Sequence, residues 1–208
     1  MTLKELQKIL TSIAPADREA MDRAKKRQAE LAKPPGSLGK LEDMSIRLAG
    51  ITGQVRNQLE SCRILVFAAD NGVIAEGVSS SPESVTLSQA VNMTRHITGM
   101  SALARYFGNS VVVADVGINA EVRCPAILNR KIRRSTRNLA KEPALTRQEV
   151  LDAMGVGLEL AGQAKEEGVQ AIGVGEMGIG NTTTSSAVLA ALTGAAVEQV
   201  TGRGGGLT

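Results

Sequence analysis

The densest gathering of chemically useful residues in this chain is Gly173-Val-Gly-Glu-Met-Gly-Ile-Gly-Asn-Thr-Thr-Thr-Ser-Ser186. Val169, Ala171, Ile172 and Val174 lead into it and predict a buried strand. The helix-forming run from Ala187 to Leu192 leads out of it, with Gly194 placed as a C-cap. Between the two, glycines alternate with Glu176, Met177 and Ile179, and Asn181 with three threonines supplies capping oxygens and hydroxyl donors. A strand that passes through glycines into a helix N-terminus is an arrangement that holds an anion, usually a phosphate. Glu176 does not fit that use. A carboxylate beside a phosphate cradle is repelled by its ligand, so Glu176 needs a role of its own.

A second group of candidates follows the apolar run Arg63-Ile-Leu-Val-Phe-Ala-Ala69, which reads as a parallel strand covered on both faces. Ligands of open α/β sheets gather at the carboxyl ends of strands. That end carries Asp70 and Asn71, followed by the loop of Ser79, Ser80 and Ser81, although turn chemistry accounts for these residue types as well. The most basic run, Arg130-Lys-Ile-Arg-Arg134 with Arg137, reads either as a phosphate-binding patch or as a solvated loop. Cys62 and Cys124 lack the spacing of a zinc site or a disulfide framework. His96 is the only histidine, which argues against a histidine triad or a multi-histidine metal centre; it borders an apolar stripe and reads as structural. The carboxylates do not cluster as a hard cation requires, so no metal is expected.

These residues sit in a chain of 208 residues with net charge +3, no Trp, one Tyr (Tyr106) and two Phe (Phe67, Phe107). The charge is too small, and the aromatics too few, for a nucleic-acid surface. No apolar run reaches membrane-spanning length, and the N-terminus lacks a signal-peptide core, so the expected compartment is the cytoplasm. The core must be built from Ala, Val, Leu, Ile and Met.

The elements that position the candidates can be read in order. Leu3, Leu6, Ile9, Leu10 and Ile13 have helical spacing, and a charged helix from about Asp17 to Ala32 stops at Pro34-Pro35. Ser37 is the expected cap of a third helix. The capping-box pattern Thr86-Leu-Ser-Gln89 predicts one helix as far as Phe107, and Thr146-Arg-Gln-Glu149 another that ends at Gly168. Gly155 and Gly157 weaken the latter by roughly 1 kcal/mol each, which close approach to a sheet would justify. Strands are expected at Ser110–Val116, Val169–Val174 and Val197–Thr201, and residues 118–145 read as a long excursion. Alternating strands and helices predict an α/β protein with a Rossmann-like parallel sheet and helices on both faces, plus an N-terminal helical small domain. The expected division is 1–55 for the helical region and 56–208 for the α/β nucleotide-binding region.

Six segments in register carry a specific resemblance: Lys33-Pro-Pro-Gly-Ser-Leu-Gly-Lys-Leu-Glu42; Phe67-Ala-Ala-Asp-Asn-Gly-Val73 with Gly77-Val-Ser79; Asp115-Val-Gly117; Arg130-Lys-Ile with Thr136-Arg-Asn138; Gly175-Glu-Met-Gly-Ile-Gly-Asn-Thr-Thr183; and Gly202-Arg-Gly204. Together they resemble the nicotinate-nucleotide:dimethylbenzimidazole phosphoribosyltransferases, which build the lower nucleotide loop of cobalamin. The resemblance implies transfer of the 5-phosphoribosyl group from nicotinate mononucleotide to dimethylbenzimidazole, with inversion at the ribose C1, by a homodimer that uses no metal or redox cofactor.

Carried over by motif, Gly178, Ile179, Gly180, Asn181 and Thr182 would cradle the 5′-phosphate with Gly202, Arg203 and Gly204. Glu176 would face the cationic pyridinium or the attacking base. Ser79, Ser80, Ser81, Pro82 and Gln89 would line the aromatic-base pocket, bordered by Asp70 and Asn71. Two departures stand out. Asn71 occupies a position where the family commonly has histidine, and the family chain continues past the equivalent of Thr208 with a further Glu, its principal base, and a phosphate-binding Lys. A catalytically incomplete nucleotide-binding module is therefore the alternative reading. A dinucleotide-binding domain is disfavoured, because no Gly-x-Gly-x-x-Gly is followed by a ribose-binding acid.

Overall fold

The computed structural model describes residues 1–205; the end of the glycine-rich run, 206–208, lies outside the described residues. The chain divides into two compact units, one of Leu3–Glu60 and one of Met1–Thr2 with the residues from Ser61 onward.

The first unit is helical, with α1 (Leu3–Thr11), α2 (Arg18–Glu30) and α3 (Lys40–Thr52). Asp17 caps α2 by accepting from the Ala20 N–H at 3.0 Å. The α2–α3 contact is made by small residues, with Ala20, Ala24, Ala49 and Gly50 buried. A Cβ at Gly50 would lie 2.7 Å from Met21 Cγ, so glycine sets how closely the helices approach. Ser37 does not cap α3; the N-cap is Gly39 at φ 55. Glu42, inside the helix, instead reaches back to accept from the Leu38 N–H at 3.2 Å and from Lys33 Nζ at 2.6 Å. These bonds, that from Lys33 first, hold its carboxyl below the ordinary value.

The second unit is built on four parallel strands, β1 (Cys62–Ala69), β2 (Ser110–Gly117), β3 (Ile127–Asn129) and β4 (Ala171–Met177), in the order β3-β2-β1-β4. The helices are α4 (Val85–Thr94), α5 (Gly99–Tyr106), α6 (Arg147–Glu166), α7 (Asn181–Thr193) and α8 (Val197–Val200). Period-two alternation divides the strands between two cores. Val66, Ala68, Val113 and Ile127 face α4, through Ala90 and Leu87, and reach Met100 of α5. Leu65, Ala114, Phe67 and Val112 face α6, through Val156 and Leu160. Helices thus cover both faces of β1 and β2, as parallel strands require, whereas β4, expected to be buried, is largely exposed, with Val174 77 % exposed.

Four expectations are corrected. The helix expected from Thr86 to Phe107 is two helices, because Thr98 and Ser101 form a capping box of their own and His96 takes φ 58 between them. Thr86 does not cap α4; Ser84 holds the N-cap position without a side-chain bond, and Thr86 is buried within the first turn. The strand expected at Val197–Thr201 is the short helix α8, since Val197 and Val200, three apart, suit a helical turn as well as a strand; the fourth strand comes from the excursion instead, as β3. Gly155 approaches Met1 rather than the sheet, since a Cβ added there would lie 3.3 Å from the Met1 Cβ, and Gly157 faces open space.

Candidate functional site

The strand order fixes where a site can form. From β1 the chain steps to β2 and then β3 on one side, with α4 and α5 crossing one face. It then returns over the other face by α6 to place β4 on the far side of β1. The reversal lies between β1 and β4, and ligands of open parallel sheets bind at that switch point, beyond the carboxyl ends of the strands. The β1 end delivers Asp70 and Asn71; the β4 end delivers the glycine turn. Register confirms their adjacency, with Phe67 opposite Glu176 and Ala68 opposite Met177.

The turn is shaped by contact as much as by backbone freedom. A Cβ at Gly178 would collide with the Ala69 carbonyl oxygen, and Gly180 sits at φ 86 as the N-cap of α7. No side chain caps that helix; the N–H groups of Asn181, Thr183 and Thr184 are taken by the carbonyls of Gly178 and Gly180, which leaves the Thr182 N–H as the first-turn donor beside the cleft. Asn181 donates from Nδ2 to Glu176 Oε1 at 2.6 Å. Asn71 Nδ2 donates to the Ile179 carbonyl at 3.1 Å, and Thr86 Oγ1 accepts from the Ile179 N–H at 3.0 Å.

In front of the turn lies an open cleft of about 880 Å³, lined by Val78, Glu176, Asn181–Thr183, Ser185, Ser186, Leu189 and Val200–Gly204. Gly204, at φ 53, packs on Thr182, and the Gly205 carbonyl accepts from Ser80 Oγ at 2.9 Å. The structure therefore gathers Glu176, Asn181, Thr182, Gly202, Arg203 and Gly204 around one space; Gly178, Ile179 and Gly180 lead into it without joining its lining, and Ser80 is tied to the Gly205 carbonyl next to it. Ser81, Pro82 and Gln89 belong to the segment entering α4 and to α4 itself, outside the cleft lining.

Asp70 is 2 % exposed and lies beneath the site. Its Oδ2 accepts from the Asn119 N–H at 2.8 Å, and its own N–H donates to the Gly117 carbonyl at 3.1 Å. The matching acid of β2, Asp115, accepts from the N–H groups of Gly117 and Ile118 and pairs with Lys131 at 3.1 Å.

Three arginines of the basic run are taken up by acids of α6, while its Lys131 pairs with Asp115 of β2. Arg130 pairs with Glu159 at 2.7 Å, while Arg133 and Arg137 both reach Glu149, at 3.2 and 2.9 Å. The bond from Arg137, with that from the Thr146 N–H, pulls the Glu149 carboxyl down to about 2. His96 Nδ1 lies 3.2 Å from the Ser101 carbonyl, a link between α4 and α5. Cys62 and Cys124 are free thiols, and among the described residues no three His, Cys, Asp or Glu side chains gather as a metal site would need. Thr86, read only as a cap, and Ser185, Ser186 and Val200 were not among the site residues expected from the sequence. Only the proximity of Ser185 and Ser186 to the glycine turn signalled any of them.

Sheet order, strand-end glycine turn and cleft define an α/β protein of the class that takes its ligand at a topological switch point. The family described as phosphoribosyltransferase matches residues 13–208. The nicotinate-nucleotide–dimethylbenzimidazole phosphoribosyltransferase of Ruminiclostridium cellulolyticum is 46% identical over 208 residues, which is 100% of this chain and 58% of that protein. That of Clostridium perfringens is 47% identical over 202 residues, 97% of this chain and 56% of that one. A crystal structure described as CobT from Thermus thermophilus superposes with a TM-score of 0.87 at 41% identity, covering 91% of this chain and 57% of its own. The chain belongs to the nicotinate-nucleotide–dimethylbenzimidazole phosphoribosyltransferase family. It spans 56% to 59% of the length of the curated relatives it matches.

Proposed function

We propose that this chain provides the nucleotide-handling portion of a pentosyltransferase that moves the 5-phosphoribosyl group from nicotinate mononucleotide to dimethylbenzimidazole. The products are α-ribazole 5′-phosphate and nicotinate, in assembly of the cobalamin nucleotide loop. One observation carries the reading: Glu176, Arg203, and Asn181 and Thr182 at the start of α7 open onto the same cleft, so an anionic and a cationic group of one ligand can each find a complement there. The 5′-phosphate goes to the turn of Gly178, Ile179, Gly180, Asn181 and Thr182, with Gly202, Arg203 and Gly204 closing over it. The pyridinium lies toward Glu176. Ser79, Ser80, Ser81, Pro82 and Gln89, with Asp70 and Asn71, serve the side from which the aromatic base enters.

In the reaction a ring nitrogen of the base forms the bond to ribose C1 as the bond to nicotinate breaks. The electron pair goes to the pyridine nitrogen and cancels its charge, which makes nicotinate a good leaving group. The other ring nitrogen of the base then releases its proton to solvent water, which leaves the product ring neutral. Glu176 stabilises the cation in the ground state and during transfer, and the turn fixes the ribose for in-line displacement.

The second reading, a nucleotide-binding module completed by a partner or a further segment, is favoured by the share of the relatives that the chain spans. Incubation with both substrates, followed by chromatography for nicotinate and α-ribazole 5′-phosphate, separates the two. Product supports transfer by this chain. Calorimetric binding of nicotinate mononucleotide without product supports the module, and absence of both rejects the assignment.

The partner proposed, besides the small-molecule substrates, is a second copy of the chain. Exposed Leu103, Tyr106 and Phe107 at α5 support an apolar contact of that kind, and light scattering on the eluting protein tests it. Cytoplasm is the proposed compartment, in keeping with two free thiols; among the described residues no helix is long and apolar enough to cross a membrane. The helical region, residues 1–55, and the nucleotide-binding region, residues 56–208, are proposed as separate domains, supported by the contact boundary at Glu60 and Ser61.

A further inference from the structure

Thr86 is a fully buried hydroxyl on α4 that no step proposed above uses. Its Oγ1 accepts from the Ile179 N–H at 3.0 Å, and the carbonyl of the same residue accepts from Asn71 Nδ2 at 3.1 Å. Both polar groups of one residue in the glycine turn are therefore held by side chains from two other segments of the fold. The turn has reason to need this. Ile179 stands between two glycines, and glycine gives the backbone little conformational preference of its own. Gly178 is wedged against the Ala69 carbonyl and lies close to Asn71, and Gly180 occupies the left-handed region at φ 86. Rotation of the peptide between 179 and 180 would swing a carbonyl, rather than an N–H, toward a bound anion and turn attraction into repulsion.

We infer that Thr86 and Asn71 are positioning residues that clamp Ile179 and hold the glycine turn, before any ligand arrives, in the conformation that receives a phosphate. This deepens the proposed function and rests on its assignment of the phosphate to that turn. A site set in advance loses no binding energy to ordering the loop, so the clamp acts on affinity for the phosphate end of the ligand.

Thr86→Val keeps the volume and removes the acceptor, leaving the Ile179 N–H buried without a partner. Thr86→Ser restores the hydroxyl. The expected result, by calorimetry on folded protein, is binding of nicotinate mononucleotide weakened about tenfold in Thr86→Val and within about twofold of the original in Thr86→Ser. Equal affinity in Thr86→Val overturns the inference. Hydrogen exchange of the Ile179 amide in the ligand-free, unsubstituted chain supplies a readout that needs neither a variant nor a ligand. Protection well above that of the neighbouring Thr182 amide is expected, and exchange at an unprotected rate overturns the clamp even if Thr86→Val fails to fold. If the unsubstituted chain binds no mononucleotide while the Ile179 amide is protected, the phosphate assignment fails and the clamp survives as a feature of the fold.

Discussion

Asn181 holds Glu176 by a 2.6 Å bond from its side-chain amide to the carboxylate, across the turn of residues 178–180 that joins the end of β4 to the start of α7. The residue that begins α7 therefore also fixes Glu176, the one carboxylate among the described residues lining the cleft. An amide is suited to this, because it anchors the acid without neutralising it and leaves the second carboxylate oxygen for a cationic ligand.

That arrangement predicts opposite responses from two ligands. Glu176→Gln keeps the shape and removes the charge. Nicotinate mononucleotide, with its pyridinium, should bind roughly fivefold more weakly, the scale of one ion pair in a solvent-accessible site. Ribose 5-phosphate, which has no cation, should bind equally well or more tightly, since a negative charge near its phosphate has gone. Parallel calorimetric titrations check this, and parallel weakening of both ligands would place Glu176 in the fold rather than at the ring.

Arg203 lines the same cleft from the loop opposite the turn and is exposed. Arg203→Ala should weaken both ligands alike, by about five- to tenfold at low ionic strength, because each carries the phosphate. The difference between the original and the variant should shrink as salt is raised from about 0.01 M to about 1 M, where screening shortens the reach of the charge from about 30 Å to about 3 Å.

The parts of this molecule that were legible in the sequence are those written in local patterns. Continuous apolar runs marked β1 and β2, and the glycine turn announced itself by residue type. What was not legible depends on partners far along the chain. The Ile179 N–H meets Thr86 across 93 positions, and the Thr86-Leu-Ser-Gln89 pattern pointed to a cap instead. Arg130, Arg133 and Arg137 displayed their charge openly, but the acids that occupy them, Glu149 and Glu159, lie on α6. The break between α4 and α5 was written locally, in Thr98 and Ser101, and was masked by an apolar stripe that runs on through it. Asn71, a departure from the family's common histidine, acquires its use only when β4 is laid beside β1.

Two glycines of β4 and its turn should respond differently to the same substitution. Gly178→Ala drives a methyl into the Ala69 carbonyl oxygen, a fixed backbone atom, and should cost about 1–3 kcal/mol. Gly173→Ala places its methyl 3.5 Å from Ile64 Cγ1, an ordinary contact, and should change stability by less than about 0.5 kcal/mol. At roughly 2–4 °C per kcal/mol for a chain of this size, thermal melts resolve the two. Equal melting temperatures would contradict the close approach of the turn to the β1 end.

Glu149 links the excursion to α6, accepting from Arg137 and Arg133 on the excursion and from the Thr146 N–H in the capping box that starts α6. The bonds from Arg137 first, and then from Thr146, lower its carboxyl from an ordinary value of 4.5 to about 2. A carboxyl depressed in the folded state stabilises the fold fully above its unfolded value, and that contribution disappears as pH falls through the folded value. The loss should therefore run from about pH 4.5 down to about pH 2. Glu42, Glu76, Asp152 and Glu159 are also lowered and will add to acid sensitivity in the same direction, so the comparison must be with a variant. Glu149→Gln should melt below the original protein at about pH 7, and the gap should narrow steadily as pH is taken from about 5 toward about 3. A gap that stays constant with pH would show that Glu149 is no more ionised by folding than in the unfolded chain, and that its arginine partners do not hold the excursion against α6.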